Sequence, residues 1–320
     1  MKKWVLELLC CPACRGEIEL QEETQKADEI ESGYLQCLQC GNAYKIYNFI
    51  PRFVSSDHYV NSFSFEWKKF ATTQYGEMSD RTFVEKTGLT SEDLKNKLIL
   101  DAGCGSGRFC DVVSRKMGKV VGIDLSYSID AAFEQIGLKE NVSLVQGDLL
   151  NLPFKSDIYD IAFSIGVIHH TADPKAATKE IARVIKNSGI MAIWVYGNWK
   201  ELAKKGRIPQ TYTRLSYTVS DFYRKFTSRM PNETLFNMIR KLSLFYHLKQ
   251  QKKLQILNLM FPSSASPNYD MWLLETFDWY SPKYQSKHTF AQMTDWFREF
   301  GFTDIERLGF PVSVKGRRET

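Results

Sequence analysis

LDAGCGSGRF, residues 100–109, places three glycines at alternate positions directly behind an aspartate. The apolar run Leu98, Ile99, Leu100 leads into it and CDVVSRKM follows, so the stretch reads as strand, glycine turn and helix. Many nucleotide-binding folds share that context, and the spacing decides among them. A dinucleotide fingerprint is G-x-G-x-x-G, which seats a pyrophosphate on the helix N-terminus. Here Gly103, Gly105 and Gly107 make G-x-G-x-G, and Arg108 stands where the last glycine of that fingerprint belongs.

Asp101 is the second clue. A carboxylate at a strand tip repels a pyrophosphate and attracts a cation. S-adenosylmethionine carries an ammonium and a sulfonium, and the glycines let the backbone approach its methionine part closely. A second strand, 119–123, ends at Asp124, placed to accept the ribose hydroxyls. A third, 142–146, ends at Gly147-Asp148, placed to accept from the adenine amino group. A fourth, 158–165, has Gly166 at its tip, and a fifth, 189–196, follows a helix near 173–185. Strands and helices alternating at this rhythm predict an α/β fold with a parallel, doubly wound sheet.

In order, LDAGCGSGRF, VVGIDLS, QGDLLNLPF, YDIAFSIGVIHHTADP and GIMAIWVYG resemble the motifs of class I S-adenosylmethionine-dependent methyltransferases of the type 11-like branch, over residues 60–320. The resemblance implies a Rossmann-like seven-stranded sheet with an antiparallel last strand. It implies Asp101, Gly103, Cys104, Gly105 and Gly107 around the methionine part, Asp124 with Leu125 at the ribose, and Asp148 with Leu149 at the adenine. Ser164, Ile165 and Gly166 would then face the donor's amino group. Single residues keep other readings: an aspartate after a strand can be a helix cap, and Cys104 can be a small buried filler. His169 and His170, and His288 further on, are catalytic candidates as general bases, or histidines that pack locally.

At the other end of the chain, Cys11-Pro-Ala-Cys14 and Cys37-Leu-Gln-Cys40 are two C-x-x-C knuckles separated by 22 residues. Two such pairs complete a four-thiolate zinc site, which leaves no open position and is therefore structural. Cys10 is spare. LELLCCPAC and LQCLQCGNAYKIYNFIPRF resemble the small zinc-ribbon family that activates tRNA and protein methyltransferases as a separate subunit, over residues 1–54.

The chain has 320 residues and a net charge of +5, unevenly spread. Between residues 198 and 260 stand 13 Lys and Arg against 3 Asp and Glu. The opening MKKWVLELLCC is too short and too interrupted for a secretory leader, and no run approaches the ~18 apolar residues of a membrane span. With an odd, clustered cysteine set this predicts a cytoplasmic protein. Its expected parts are a zinc-ribbon module (1–58), a helical lead-in (59–96), the S-adenosylmethionine-binding core (97–196), a basic helical insertion acting as a lid (197–288), and a C-terminal helix and hairpin (289–320).

The acceptor must be read from the insertion, because in-line methyl transfer needs alignment more than a strong base. Ser164-Ile165-Gly166-Val167 is not the Asn/Asp-Pro-Pro-aromatic signature of amide and exocyclic nitrogen methylation. Residues 234–261 alternate apolar and basic at near-helical spacing, with Leu235, Ile239, Leu242 and Tyr246 on one face. Four readings follow. The insertion lids a pocket for a small or carrier-linked, anionic or lipid-linked acceptor; it grips an RNA backbone; it rests peripherally on an anionic membrane; or it is a solvated cover. Asp278, Tyr280, Tyr284 and His288, where the chain re-enters the sheet edge, are candidate substrate contacts or, equally, loop punctuation. The leading expectation is a methyltransferase of a small or carrier-linked metabolite, then an RNA base methyltransferase, then a non-catalytic donor-binding partner protein.

Overall fold

The computed structural model describes residues 1–26, 28–54, 76–205, 210–249, 259–309 and 311–320. The end of the expected zinc-ribbon module with part of the expected lead-in (55–75), and part of the basic helical run (250–258), lie outside them.

The core sheet is built from β5 (Leu98–Ala102), β6 (Lys119–Asp124), β7 (Val142–Gln146), β8 (Tyr159–Ile165) and β9 (Ile185–Trp194), all parallel. It is completed by β10 (Phe302–Arg307) and β11 (Ser313–Arg318), with β11 antiparallel to both neighbours. The spatial order β7-β6-β5-β8-β9-β11-β10 reverses direction between β5 and β8. That is the switch point of an open α/β sheet, where the carboxyl ends of the strands leave a crevice.

Both faces of the sheet's centre are covered, which is why β5, β6, β7 and β8 are largely apolar. Along β5 the pleat sends Leu100 to one core and Ile99 to the other. The first core includes Ile181 of α6 (Pro174–Arg183) and Phe297 of α12 (Phe290–Glu299). The second gathers α2 (Glu77–Thr87), α3 (Ser91–Leu94), α4 (Arg108–Arg115) and α5 (Ser128–Ile136) through Phe83, Leu94, Val112, Val113 and Ile136.

The cysteine-bearing segment does not stand apart. Short α1 (Lys3–Leu6) and strands β1 (Ile18–Lys26), β2 (Glu29–Cys37), β3 (Ala43–Tyr47) and β4 (Ile50–Arg52) form an antiparallel unit. Its last strand joins β7 in parallel, so seven expected strands become one eleven-stranded sheet. The physical reason is the exposed edge of β7, whose Gln146 carbonyl accepts from the Phe53 N–H at 2.8 Å. Met1, Val5, Leu9, Leu35, Ile46 and Phe53 enter the same apolar core as Phe154 and Tyr159.

The insertion folds into helices α7 (Trp199–Lys205), α8 (Gln210–Thr227), α9 (Asn232–Lys241), α10 (Ser243–Lys249) and α11 (Tyr269–Tyr280). The run of near-helical spacing is divided at Leu242, between α9 and α10. Leu235, Ile239, Leu242 and Tyr246 still join one apolar cluster, with Trp272, Phe277 and Tyr280 of α11. Among the described residues no helix is long and apolar enough to cross a membrane.

Candidate functional site

The glycine turn is shaped by backbone that side chains resist. Gly103, Gly105 and Gly107 have φ of +91°, +53° and +87°. The N–H groups of Gly103 and Cys104 both donate to the Ile123 carbonyl, at 2.8 and 3.0 Å, locking the turn against β6. A Cβ on Gly103 would fall 2.4 Å from Val167 Cγ1, so the turn lies flush against the chain leaving β8.

Asp101, only 1% exposed, sits behind this turn. Burial first, and then the neighbouring Asp124 carboxylate, push its carboxyl up to about 7, with Cys110 and Arg108 opposing. Asp124 ends β6 with three bonds to its carboxylate: Oδ2 accepts from Gly105 N at 2.9 Å, and Oδ1 from Ser126 N at 2.9 Å and Ser126 Oγ at 2.6 Å. Burial raises its pKa as well. Past β7, Asp148 Oδ1 accepts from Leu150 N at 2.9 Å, the aspartate turn that is its local alternative role. Leu149 and Ile165 are buried, and Ser164 Oγ donates to the Ala102 carbonyl at 2.7 Å. Gly166, at φ +80°, donates to the Trp194 carbonyl at 3.0 Å and faces the Trp194 ring. The sheet therefore brings Asp101, the three glycines, Asp124, Leu125, Asp148, Leu149 and Ser164–Gly166 together at the carboxyl ends of four adjacent parallel strands. Cys104 packs with Cys110 against Gly122, and burial pushes its thiol up to about 11.

The histidines lie at the next strand tip, under the insertion. His169 is fully buried, stacks on Tyr196 with ring centroids 3.9 Å apart, and accepts from Tyr196 N through Nδ1 at 3.4 Å. Its Nε2 is buried with no hydrogen-bond partner among the described residues. His170 donates from Nδ1 to the Tyr284 carbonyl at 2.9 Å, and its Nε2 lies 4.0 Å from Asp278. Asp278 also accepts from Tyr196 OH at 2.8 Å. His288 is held between Ser286 Oγ at 2.7 Å and Gln292 Oε1 at 3.1 Å. Burial lowers all three imidazole pKa values, so each is neutral near pH 7; for His170 the Asp278 charge works the other way. Tyr280, by contrast, turns its hydroxyl to the Pro262 carbonyl within the insertion.

Lys86 of α2 was not legible as a site residue, because nothing in a solvated-looking EKTG marks it. It is 9% exposed, with Nζ 3.4 Å from the Trp194 ring centroid. Burial, and secondarily Arg108, lowers its pKa to about 7.

The four predicted cysteine ligands converge at the far end of the sheet. Their sulfurs all lie within 4.8 Å of one another, with Cys11–Cys40 at 3.6 Å and Cys14–Cys37 at 3.4 Å. Thiolates around one tetrahedral zinc ion stand about 3.8 Å apart, so the set fits that metal. The backbone N–H of Gly16 points at Cys14 Sγ, and those of Gln39 and Cys40 at Cys37 Sγ, all at 3.4 Å. Donors of this kind offset thiolate charge. Cys10 lies outside the set, buried against the core, its N–H bonded to the Pro153 carbonyl.

Comparison with known proteins agrees with both halves of this geometry. Residues 100–193 match the family model described as a methyltransferase domain, and residues 2–48 match that of Trm112p-like proteins. The sterol 24-C-methyltransferase of Eremothecium gossypii is 27% identical, over 62% of this chain and 50% of its own. The Homo sapiens protein named Probable tRNA methyltransferase 9B is 30% identical, over 38% of this chain and 26% of its own. A solved complex of the Haloferax volcanii Trm112 methyltransferase activator with a methyltransferase aligns over 81% of this chain and 98% of that chain, with TM-score 0.45 and 13% identity. The chain spans about half the length of the first curated relatives it matches.

Proposed function

We propose that this chain, a methyltransferase domain joined to a Trm112p-like zinc module, transfers a methyl group from S-adenosylmethionine to a small or carrier-linked acceptor. The observation that carries the acceptor class is how the insertion closes on the strand tips. Tyr217 OH donates to the Gly197 carbonyl at 3.0 Å, Tyr196 OH to Asp278 at 2.8 Å, and Ser286 N to the His169 carbonyl at 2.8 Å. These bonds bring the lid down over β8 and β9, a cover suited to an enclosed acceptor rather than a folded polymer.

The donor, when bound, supplies an activated methyl group with its leaving group attached. The residues then have two tasks. Asp101 faces the donor's ammonium, Asp124 the ribose and Asp148 the adenine, while the glycine turn admits the methionine part. On the acceptor side, Nδ1 of buried His169 accepts from Tyr196 N, so its partnerless Nε2 carries the hydrogen and would donate it to an oxygen or nitrogen lone pair of the acceptor. Holding the two reactants in line is worth about 7–11 kcal/mol, so a neutral imidazole need do no more than orient the acceptor, whose proton passes to water.

Asp101 gives this reading a pH signature. With a pKa of about 7 in the ligand-free protein, it is increasingly protonated below neutrality, whereas an ammonium neighbour requires the carboxylate. Donor affinity should rise with pH up to about 7 and level off above it. Near pH 6 binding should release most of one proton. Calorimetry in buffers of different ionisation heat reads that proton directly. An affinity flat from pH 6 to 8 would remove Asp101 from the ammonium site.

The RNA reading has its own observation: Lys200, Lys204, Arg214, Lys225, Arg229, Arg240 and Lys241 are all exposed on the insertion. Labelled-methyl transfer to a small-molecule extract, against total tRNA and rRNA, separates the two. The expected result is label in the small-molecule fraction, with weak RNA binding indifferent to sequence. Tight RNA binding that falls by orders of magnitude between roughly 50 and 200 mM salt, and is lost with methylation in Arg240→Ala/Lys241→Ala, reverses the assignment.

A further inference from the structure

Arg52 ends β4, beyond the Trm112p-like match at residues 2–48, and is the residue whose Cα pairs with Gln146 of β7. Its side chain is 13% exposed. Nη1 donates to Gln146 Oε1 at 2.8 Å, and Nη2 to Asp130 Oδ1 at 2.5 Å. Gln146 is 2% exposed, and its Nε2 donates to the Leu125 carbonyl at 3.0 Å. Because Arg52 occupies the amide oxygen, the nitrogen must face Leu125: the guanidinium sets which way that glutamine points. Leu125 directly follows Asp124, and Asp130 lies in the first turn of α5. One rigid fork therefore clamps both ends of the segment that runs from the donor-site aspartate into its helix. The ring of Phe49 stacks on Phe133 of the same helix, centroids 5.4 Å apart, and steadies the clamp from the ribbon side.

From this juxtaposition we propose that Arg52 is a positioning residue for the adenosine half of the donor, an inference that rests on the donor-site reading above. It touches no reacting atom. It holds Leu125 through Gln146 and α5 through Asp130, so that the Asp124 carboxylate keeps its place beside Gly105 N. Without the fork, the Gln146 amide is free to invert and Asp130 loses its partner. The segment then has to be ordered by the donor itself, and donor affinity falls. A lysine at this position would supply a point charge but not two diverging donors.

The test is calorimetry of S-adenosylmethionine and S-adenosylhomocysteine binding to the full-length zinc-loaded protein, with zinc counted by elemental analysis. Arg52→Met should weaken both ligands about tenfold at an unchanged zinc content, and Arg52→Lys should recover only part of that loss. A residue that merely staples the fold would weaken binding equally in any background. A residue acting through Asp124 should lose most of its effect once Asp124 is alanine, to within about twofold. Wild-type-like affinity in Arg52→Met overturns the proposal, as does a tenfold loss that persists undiminished in Asp124→Ala. Should Arg52→Met fail to fold, Asp130→Asn at the solvent-facing end of the clamp decides: about a threefold loss supports the proposal and unchanged affinity overturns it. A wild-type protein that binds neither ligand would instead overturn the donor-site reading.

Discussion

Purified protein is expected to carry one zinc ion per chain, and stripping it, or replacing Cys37 by serine, is expected to unfold residues 1–54 and destabilise the core sheet. The four sulfurs lie within 4.8 Å of each other, and the apolar side chains buried on the adjoining strands are few, chiefly Ile30, Leu35, Ile46 and Ile50. So small and polar a unit has little apolar burial of its own, and structural zinc contributes roughly 10 kcal/mol or more to modules of this kind. The damage should spread, because Val5, Leu9, Leu35 and Ile46 share one core with Leu152, Phe154 and Tyr159. Two further ties cross the same boundary. Arg15 binds Glu180 at 2.7 Å, and the Lys155 N–H binds the Leu8 carbonyl at 2.9 Å. Hydrogen exchange should therefore accelerate not only in β1–β4 but also along β7 and residues 150–159. A protein devoid of zinc that melts at the same temperature after zinc refolding would refute the metal site. Accelerated exchange confined to residues 1–54 would refute the coupling.

Gly103→Ala is expected to abolish donor binding while leaving the fold recognisable. Two costs coincide at that position. The backbone sits at φ +91°, where an L side chain costs about 1–2 kcal/mol. The new methyl would also meet all three outer carbons of Val167, at 2.4 to 2.7 Å. Val167 is β-branched and stiff, so relief must come from moving the turn, at a typical overpacking cost of about 1–3 kcal/mol. The sum, roughly 2–5 kcal/mol, falls on the loop that should cradle the donor. Gly301→Ala is the control: its φ is +81°, but nothing lies within 4 Å of the added carbon. Thermal melts and donor calorimetry should show Gly301→Ala mildly destabilised with normal affinity, and Gly103→Ala with affinity reduced beyond detection. Equal affinities in the two variants would show that the turn does not meet the donor.

Much of this architecture was legible because its signals are local. The period-2 and helical patterns around Gly103, Asp124, Asp148 and Gly166 place each residue at a strand tip, and parallel pairing then gathers the tips without further instruction. The C-x-x-C knuckles likewise carry their own geometry. The histidines were legible as residues but not as environments. Nothing in VIHHTADP shows that His169 would stack on Tyr196 while His170 binds the Tyr284 carbonyl, since those partners come from 27 and 114 residues away. The break at Leu242 was hidden because an apolar stripe stays continuous across two helices that pack on the same neighbour.

The amino-acid sequence by itself determined the nature of the core, its glycine turn and its four-thiolate metal site, because each depends on residues close together in the chain or on strict alternation. Only the tertiary structure decided that the zinc module and the core are a single sheet, that Lys86 is buried against Trp194, and that Arg52 reaches Gln146 and Asp130 across 94 and 78 positions. Such contacts follow from which sheet edge is left open and which strand closes it. That choice is made by burial and backbone pairing summed over the whole molecule, and no short stretch of sequence contains it.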